Sequence, residues 1–195
     1  MEHFYNNIEG WFSYDYIYEH VVRTAEDGEL FVEVGSFKGR SSAFMAVEII
    51  NSRKRILFDC VDTWAGSEEH QKGAAVEVPE VVNDTLYKTF LLNMKPVHGF
   101  YRPIRMPSTQ AAELYDDNSI DFIMIDGAHD FDSVVADIRA FLPKMKNGGV
   151  MTGDDVWGDL NVPESISGPA LAALQELQQY GVQFVGSHFY CVINK

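Results

Sequence analysis

The chain is predicted to fold as a doubly wound α/β protein, a mostly parallel seven-stranded sheet finished by an antiparallel C-terminal hairpin. Three observations predict it. Short apolar runs rich in β-branched and aromatic residues alternate with helical periodicity along the 195 residues, the pattern of a parallel sheet with crossover helices. Two of those runs, 30–34 and 120–125, end in glycine or acid, as strands do where an α/β sheet binds its ligand. The last two runs, 182–185 and 189–193, are joined only by Gly186-Ser187-His188, which is long enough for a reversal and too short for a crossover.

Taken in order, Ser13 caps a first helix whose apolar face is Tyr14, Ile17, Tyr18, Val21 and Val22, ending before Gly28. The first strand follows, then a helix from about Gly39, then a strand over 55–62. Residues 65–82 hold Gly66, Gly73, Pro79 and several acids without periodicity and read as a long loop, a candidate lid. A helix is predicted over 84–93 and a short strand over 101–106. Ser108 then caps a helix reaching Tyr115. The fourth strand, 120–125, precedes a helix with Phe131, Val134, Val135, Ile138, Phe141 and Leu142 on one face, stopped by Pro143 and Asn147-Gly148-Gly149. A fifth strand, 149–153, delivers Asp154 and Asp155 to the same sheet edge as Asp126. The last helix begins near Ser167-Gly168-Pro169 and ends at Gly181.

The segment from Leu30 to Gly39 reads as a buried strand that breaks at Gly35 into a turn, with Ser41 and Ser42 in the first turn of the next helix. Glycine admits a ligand to the backbone, and a helix start points free N–H groups at it. The spacing is Gly-x-x-x-Gly, not the Gly-x-Gly-x-x-Gly of a dinucleotide fold, so another ligand is expected. Glu33, two residues before the glycine, suits an ammonium or a sulfonium, and S-adenosylmethionine carries both. On Glu33, Gly35 and Gly39 the chain resembles the class I S-adenosylmethionine-dependent methyltransferases, whose Rossmann-like first motif is an acid-x-Gly strand end with a glycine-containing loop. The resemblance implies that Glu33, Gly35, Ser36, Phe37, Gly39, Ser41 and Ser42 hold the cofactor, with its methionine end at Glu33, Gly35 and Ser36.

Asp62 ends the second strand about 27 residues beyond Gly35, near the roughly 20-residue offset of a ribose-binding acid in α/β folds. A carboxylate accepts two hydrogen bonds from a vicinal diol, so Asp62 is the ribose candidate and Trp64 a neighbour of the adenosine. A loop cap for Asp62 and core packing for Trp64 are the alternatives. By resemblance, Ser108 and Thr109 lie where such enzymes contact adenine, and Asp126 and Gly127 face the methyl side. The N-terminal segment, 1–28, is expected over the active site, with Phe4, Tyr5, Trp11, Phe12 and Tyr14 as its lining; stapling of the helix to the sheet is the alternative.

Asp126, His129, Asp154 and Asp155 are expected to converge. Adjacent acids repel one another unless a cation offsets them, and three carboxylates with water suit Mg²⁺, which lowers the pKa of a bound hydroxyl. The stretches 125–131 and 148–156 resemble one branch of the family, which contains metal-dependent sugar O-methyltransferases of natural-product pathways and is more distantly similar to catechol O-methyltransferase. The resemblance covers roughly residues 30–156 and implies Asp126, Asp154 and Asp155 as metal ligands. Where that branch carries a second aspartate, two places after the first, as general base, this chain has Ala128. His129 is then the candidate base, or else a structural residue that caps the helix starting near Asp130.

Composition excludes other classes. With 15 basic against 29 acidic residues the net charge is −14, and the scattered Lys and Arg speak against a nucleic-acid partner. No apolar run approaches the roughly 18 residues of a membrane span, and the first residues lack a basic n-region and an apolar h-region. Cys60 and Cys191 fall in strands and read as free, buried thiols of a reducing compartment. The expectation is one cytoplasmic domain over 1–195, without a membrane or nucleic-acid partner; a homo-oligomer is left open. Its expected function is transfer of the methyl of S-adenosylmethionine to a small acceptor, an oxygen on a sugar or related hydroxylated metabolite. The alternatives are a nicotinamide-dependent oxidoreductase and a non-catalytic binding protein of the same fold.

Overall fold

The structure is a computed structural model and describes every residue except 68, 69, 75, 160, 161, 163 and 164. In chain order the elements are α1 (Asp15–Thr24), β1 (Leu30–Val34), α2 (Arg40–Ser52), β2 (Leu57–Asp62), α3 (Pro79–Val82), α4 (Leu86–Asn93), β3 (Arg102–Arg105), α5 (Ser108–Ala111), β4 (Ile120–Ile125), α6 (Phe131–Phe141), β5 (Met145–Gly153), α7 (Gly168–Leu177), β6 (Gln183–Val185) and β7 (His188–Val192). The strands form one seven-stranded sheet in the order β3-β2-β1-β4-β5-β7-β6. Five strand pairs described by register carry the prediction: β2–β3, β1–β4 and β4–β5 are parallel, whereas β5–β7 and the β6–β7 hairpin are antiparallel.

Two compact units share the chain. One comprises Met1–Glu29 and Ser36–Met106, the other Leu30–Gly35 and Pro107–Lys195.

In the first unit α1 starts one residue later than predicted. Tyr14 stands at the N-cap without a side-chain capping bond; its ring is buried and packs edge-on against Phe12 and Tyr18. Burying an aromatic surface outweighs one hydroxyl cap of about 1 kcal/mol. The N-terminal aromatics mostly staple to α2, with Phe12 and Tyr5 both against Phe44. Trp11 is the exception, 67% exposed beside Phe37 and His70. The predicted loop 65–82 contains α3, which Pro79 opens at a position that needs no N–H. Residues 68, 69 and 75 of that candidate lid lie outside the described residues.

In the second unit β1 and β4 are buried along almost their whole length, as a parallel strand covered on both faces must be. β5 is longer than predicted because Met145 already pairs with Ile120. The register then shifts before Phe122 meets Val150, and left-handed Gly148 absorbs the excess. The hairpin is tighter than predicted, with only Gly186 and Ser187 between paired Val185 and His188. Gly186, at φ 61°, supplies the positive angle such a turn requires. Among the described residues no helix is long and apolar enough to cross a membrane.

Candidate functional site

In the first unit the turn between β1 and α2 is organised by Asp62. Its Oδ2 accepts from the backbone N–H of Ser36 at 3.0 Å and of Phe37 at 2.8 Å, and its Oδ1 from that of Trp64 at 2.7 Å. Burial pushes the Asp62 carboxyl above its usual range against the pull of these donors. Phe37 and Trp64 both sit in the left-handed region, at φ 44° and 52°, a strain of about 1–3 kcal/mol each that the three charge-assisted bonds offset. Trp64 locks the turn a second time by donating Nε1–H to the Phe37 carbonyl at 2.9 Å.

A carboxylate offers about four acceptor positions, and three on Asp62 are taken by the turn, which crowds the two-pronged grip on a ribose diol expected of it. Trp64 is 1% exposed, between the rings of Tyr87 and Phe90, and has no face for an adenosine. Ser41 and Ser42, in the first turn of α2, are likewise buried, as is Ser36, and the Gly39 N–H is spent within the turn, on the Ser36 carbonyl at 2.7 Å. Gly39 caps that helix at φ 89°, and a Cβ there would press on Met94 and Phe90 at 3.1 Å.

Sequence reasoning missed Lys38, because a lysine in a turn reads as solvated. Its side chain is 7% exposed, and its ammonium bridges Glu9 at 2.8 Å and Glu80 at 2.9 Å. Burial opposes the charge, yet the two carboxylates raise the Lys38 pKa above its ordinary value. One cation thus ties the N-terminal segment and α3 to the turn.

In the second unit the backbones at the ends of β1 and β4 nearly touch. The N–H of Asp126 donates to the Val34 carbonyl at 2.8 Å, and a Cβ on Gly35 would stand 1.9 Å from the Asp126 carbonyl oxygen. That closeness is the physical reason for glycine at 35. Glu33, by contrast, is 0% exposed. A contact between its carboxylate and the ammonium expected there would require the side chain to be uncovered first.

Beyond β4 and β5, His129 Nε2 lies 3.0 Å from Asp155 Oδ2 and 3.8 Å from Asp126 Oδ1. The two carboxylates, Asp126 foremost, push the imidazole up to about 10 against burial, and His129 in turn holds Asp155 below its usual range. Without a metal the two carboxylates favour the protonated imidazole, so the general-base role expected of His129 requires that proton to leave first. His129 does not cap α6: Asp130 does, accepting from the Ser133 N–H at 2.9 Å. One ligand atom each from Asp126, His129 and Asp155 lies within 4.8 Å of the others, a spacing that a single metal ion spans. The expected set of three aspartates is not the one gathered. Asp154 turns to the hairpin instead, where its Oδ1 meets His188 Nε2 at 3.2 Å and accepts from Ser187 Oγ at 3.2 Å. His188, given no role in the sequence reading, is a site neighbour that only strand register reveals.

Ser108 is the first residue of α5 and not its cap; its hydroxyl donates to Asp137 of α6. Burial raises the Asp137 carboxyl to about 6, with the Ser108 bond opposing.

Fold and site together define a class before any particular relative. Residues 32–156 match the methyltransferase-domain family, and the chain belongs to it, as an S-adenosylmethionine-dependent methyltransferase. That membership sets aside the nicotinamide and non-catalytic alternatives. No curated protein matches the chain in sequence. Among solved structures, the O-methyltransferase NovP is similar at 14% identity and TM-score 0.64, over 93% of this chain and 78% of that one. A putative caffeoyl-CoA O-methyltransferase from Staphylococcus aureus is similar at 16% identity and TM-score 0.63, over 97% and 87%. MycE of the mycinamycin biosynthetic pathway, in complex with Mg and SAH, is similar at 16% identity and TM-score 0.55, over 93% of this chain and 48% of its own.

Proposed function

We propose that the enzyme methylates a hydroxyl oxygen of a small hydroxylated acceptor, a sugar or a related metabolite. The observation that carries this reading is the Asp126–His129–Asp155 cluster at the ends of β4 and β5, a set of acids and imidazole suited to a hydroxyl and the charge it develops. NovP and MycE, whose fold it shares, support it.

S-adenosylmethionine would lie against the Gly35–Gly39 turn, where glycine lets it approach the backbone, with Asp62 holding that turn in shape. Gly127 and the Asp126 loop would face the methyl group, Ser108 and Thr109 the adenine, and the N-terminal segment around Trp11 the acceptor. When bound, S-adenosylmethionine would supply its methyl to the acceptor oxygen, the O–C bond forming as the C–S bond breaks, and would leave as S-adenosylhomocysteine. The sulfonium is a good leaving group, so alignment supplies much of the rate. In the metal-free state the hydroxyl proton would pass to the Asp126 carboxylate, with imidazolium His129 stabilising the charges around it.

Asp126, His129 and Asp155 would also hold a divalent ion, which supplies Lewis acidity to a hydroxyl when bound. Their donor set includes an imidazole, which suits Mn²⁺ and later first-row ions better than the Mg²⁺ expected from three carboxylates. Ligation requires neutral His129, so binding releases a proton.

Calorimetry with S-adenosylhomocysteine, with and without Mn²⁺ or Mg²⁺, followed by mass spectrometry of a panel of sugars, phenols and amines, tests the reading. Micromolar binding and a 14-dalton gain on a hydroxylated acceptor are expected. Transfer confined to amines overturns it.

A further inference from the structure

We propose that His188 is a positioning residue for the Asp126–His129–Asp155 cluster: from inside the hairpin it holds Asp154, and through Asp154 it aims Asp155 at His129. The register delivers it. Gly153 pairs with Phe189 across β5 and β7, so the next residues out, Asp154 and His188, face each other at the strand ends. Gly153 permits the approach, since a Cβ there would fall 2.3 Å from the Phe189 ring.

His188 is 3% exposed, and its ring is held at both edges. Nδ1 lies 3.3 Å from the Val185 carbonyl and Nε2 3.2 Å from Asp154 Oδ1. The same Oδ1 accepts from Ser187 Oγ at 3.2 Å and from the Asp155 N–H at 2.8 Å. With one oxygen held by three contacts, Asp154 has no freedom to swing toward Asp126. Its grip on the Asp155 N–H fixes the next peptide, and Asp155 takes the left-handed conformation, φ 58°. That angle, unfavourable for a residue with a Cβ, persists because both sides are tied: Asp154 to the hairpin, and Asp155 Oδ2 to His129 Nε2 at 3.0 Å. The Val156 N–H, bound to the Ser187 carbonyl at 2.8 Å, closes the same corner. Two aspartates adjacent in sequence thereby serve opposite ends, one as an anchor and one as a site ligand.

The catalytic consequence rests on the methyl-transfer reading; the geometric one does not. The test is therefore a nitrogen-edited proton spectrum of the metal-free protein, in which the His129 Nε2–H bonded to Asp155 gives a slowly exchanging signal, assigned by its loss in His129→Gln. His188→Leu is expected to abolish that signal, and His188→Gln, whose amide reaches where Nε2 stood, to restore it. Turnover is expected to fall roughly tenfold in His188→Leu, as for residues that orient site ligands, with KM for S-adenosylmethionine unchanged and rescue by His188→Gln. If His188→Leu does not fold, Asp154→Ala removes the same anchor and is expected to lose the same signal. Persistence of the His129 signal in the folded variant overturns the proposal. So does failure of His188→Gln to restore it. Loss of the signal in an enzyme that transfers no methyl to any acceptor upholds the geometry and faults the proposed function alone.

Discussion

His129 Nε2 and Asp155 Oδ2 lie 3.0 Å apart, joined across the ends of β4 and β5. Neither residue is near the other in sequence, and Asp155 reaches this contact from a left-handed backbone, φ 58°. The pair favours the protonated His129 between two carboxylates, an arrangement that, with the proton removed, would offer a nitrogen and two oxygens to a metal.

The pair gives stability a defined pH window. In the metal-free protein the His129 pKa rises from 6.5 to about 10, so its contribution is complete below pH 6.5 and is lost as pH climbs toward 10. Asp155 is lowered from 3.8, so its contribution is present above that value and lost as pH falls through the lowered one. Thermal melts in chelator should show the largest gap between wild type and His129→Gln on the plateau between about pH 4 and 6.5, narrowing steadily to pH 10. A gap constant across that range would contradict the pairing.

Asp62 separates a clamp from a ribose grip. Asp62→Ala strands the N–H groups of Ser36, Phe37 and Trp64 in a turn with two strained residues, at about 3 kcal/mol. Urea unfolding should therefore show a lower midpoint for Asp62→Ala, together with loss of S-adenosylhomocysteine binding in calorimetry. A residue that only accepted from the ribose would lose the binding and leave the midpoint in place.

How legible this was follows from which signals are local. Buried parallel strands announce themselves as continuous apolar runs, and a connection of two or three residues forces a reversal, so β1, β4 and the terminal hairpin stand clear in the sequence. Hydroxyl caps did not: Ser13 lost to the burial of Tyr14, and Ser108 was drawn to Asp137, because tertiary packing outweighs one capping bond. Asp126 and Asp155 were legible as strand-end acids. That Asp154 faces away, and that buried His188 is the reason, depends on the β5–β7 register, which no spacing within either strand encodes. Lys38 was invisible for the same cause, since its partners Glu9 and Glu80 come from segments distant in sequence.

Among the described glycines, Gly35 has the closest neighbour to a virtual Cβ. It combines φ 89° with a virtual Cβ 1.9 Å from the Asp126 carbonyl oxygen, and the obstacle is backbone that cannot rotate aside. Gly35→Ala should separate the ends of β1 and β4, at more than about 4 kcal/mol. Gly73→Ala, also at positive φ but with no atom of the described residues within 4 Å of its virtual Cβ, should cost only about 1 kcal/mol, the strain of the angle alone. Parallel urea titrations of the two variants compare clash with strain directly, and equal midpoints would remove the close approach as the cause.

Lys38 tests whether one buried cation holds the turn's surroundings. In Lys38→Met the Glu80 carboxylate, whose Oε2 is buried without a hydrogen-bond partner among the described residues, loses its counter-ion, while Glu9, far more exposed, is repaid by water. Breaking a largely buried pair from one side costs about 3 kcal/mol. Adding Glu80→Gln removes the stranded charge, so the double variant Lys38→Met/Glu80→Gln should recover part of the loss, whereas adding Glu9→Gln should recover almost none. Urea midpoints of the four proteins, read as a double-mutant cycle, decide it. If both second changes recover equally, the bridge acts through Glu9 and the N-terminal segment as much as through α3, and the buried position of Glu80 is not what sets the penalty.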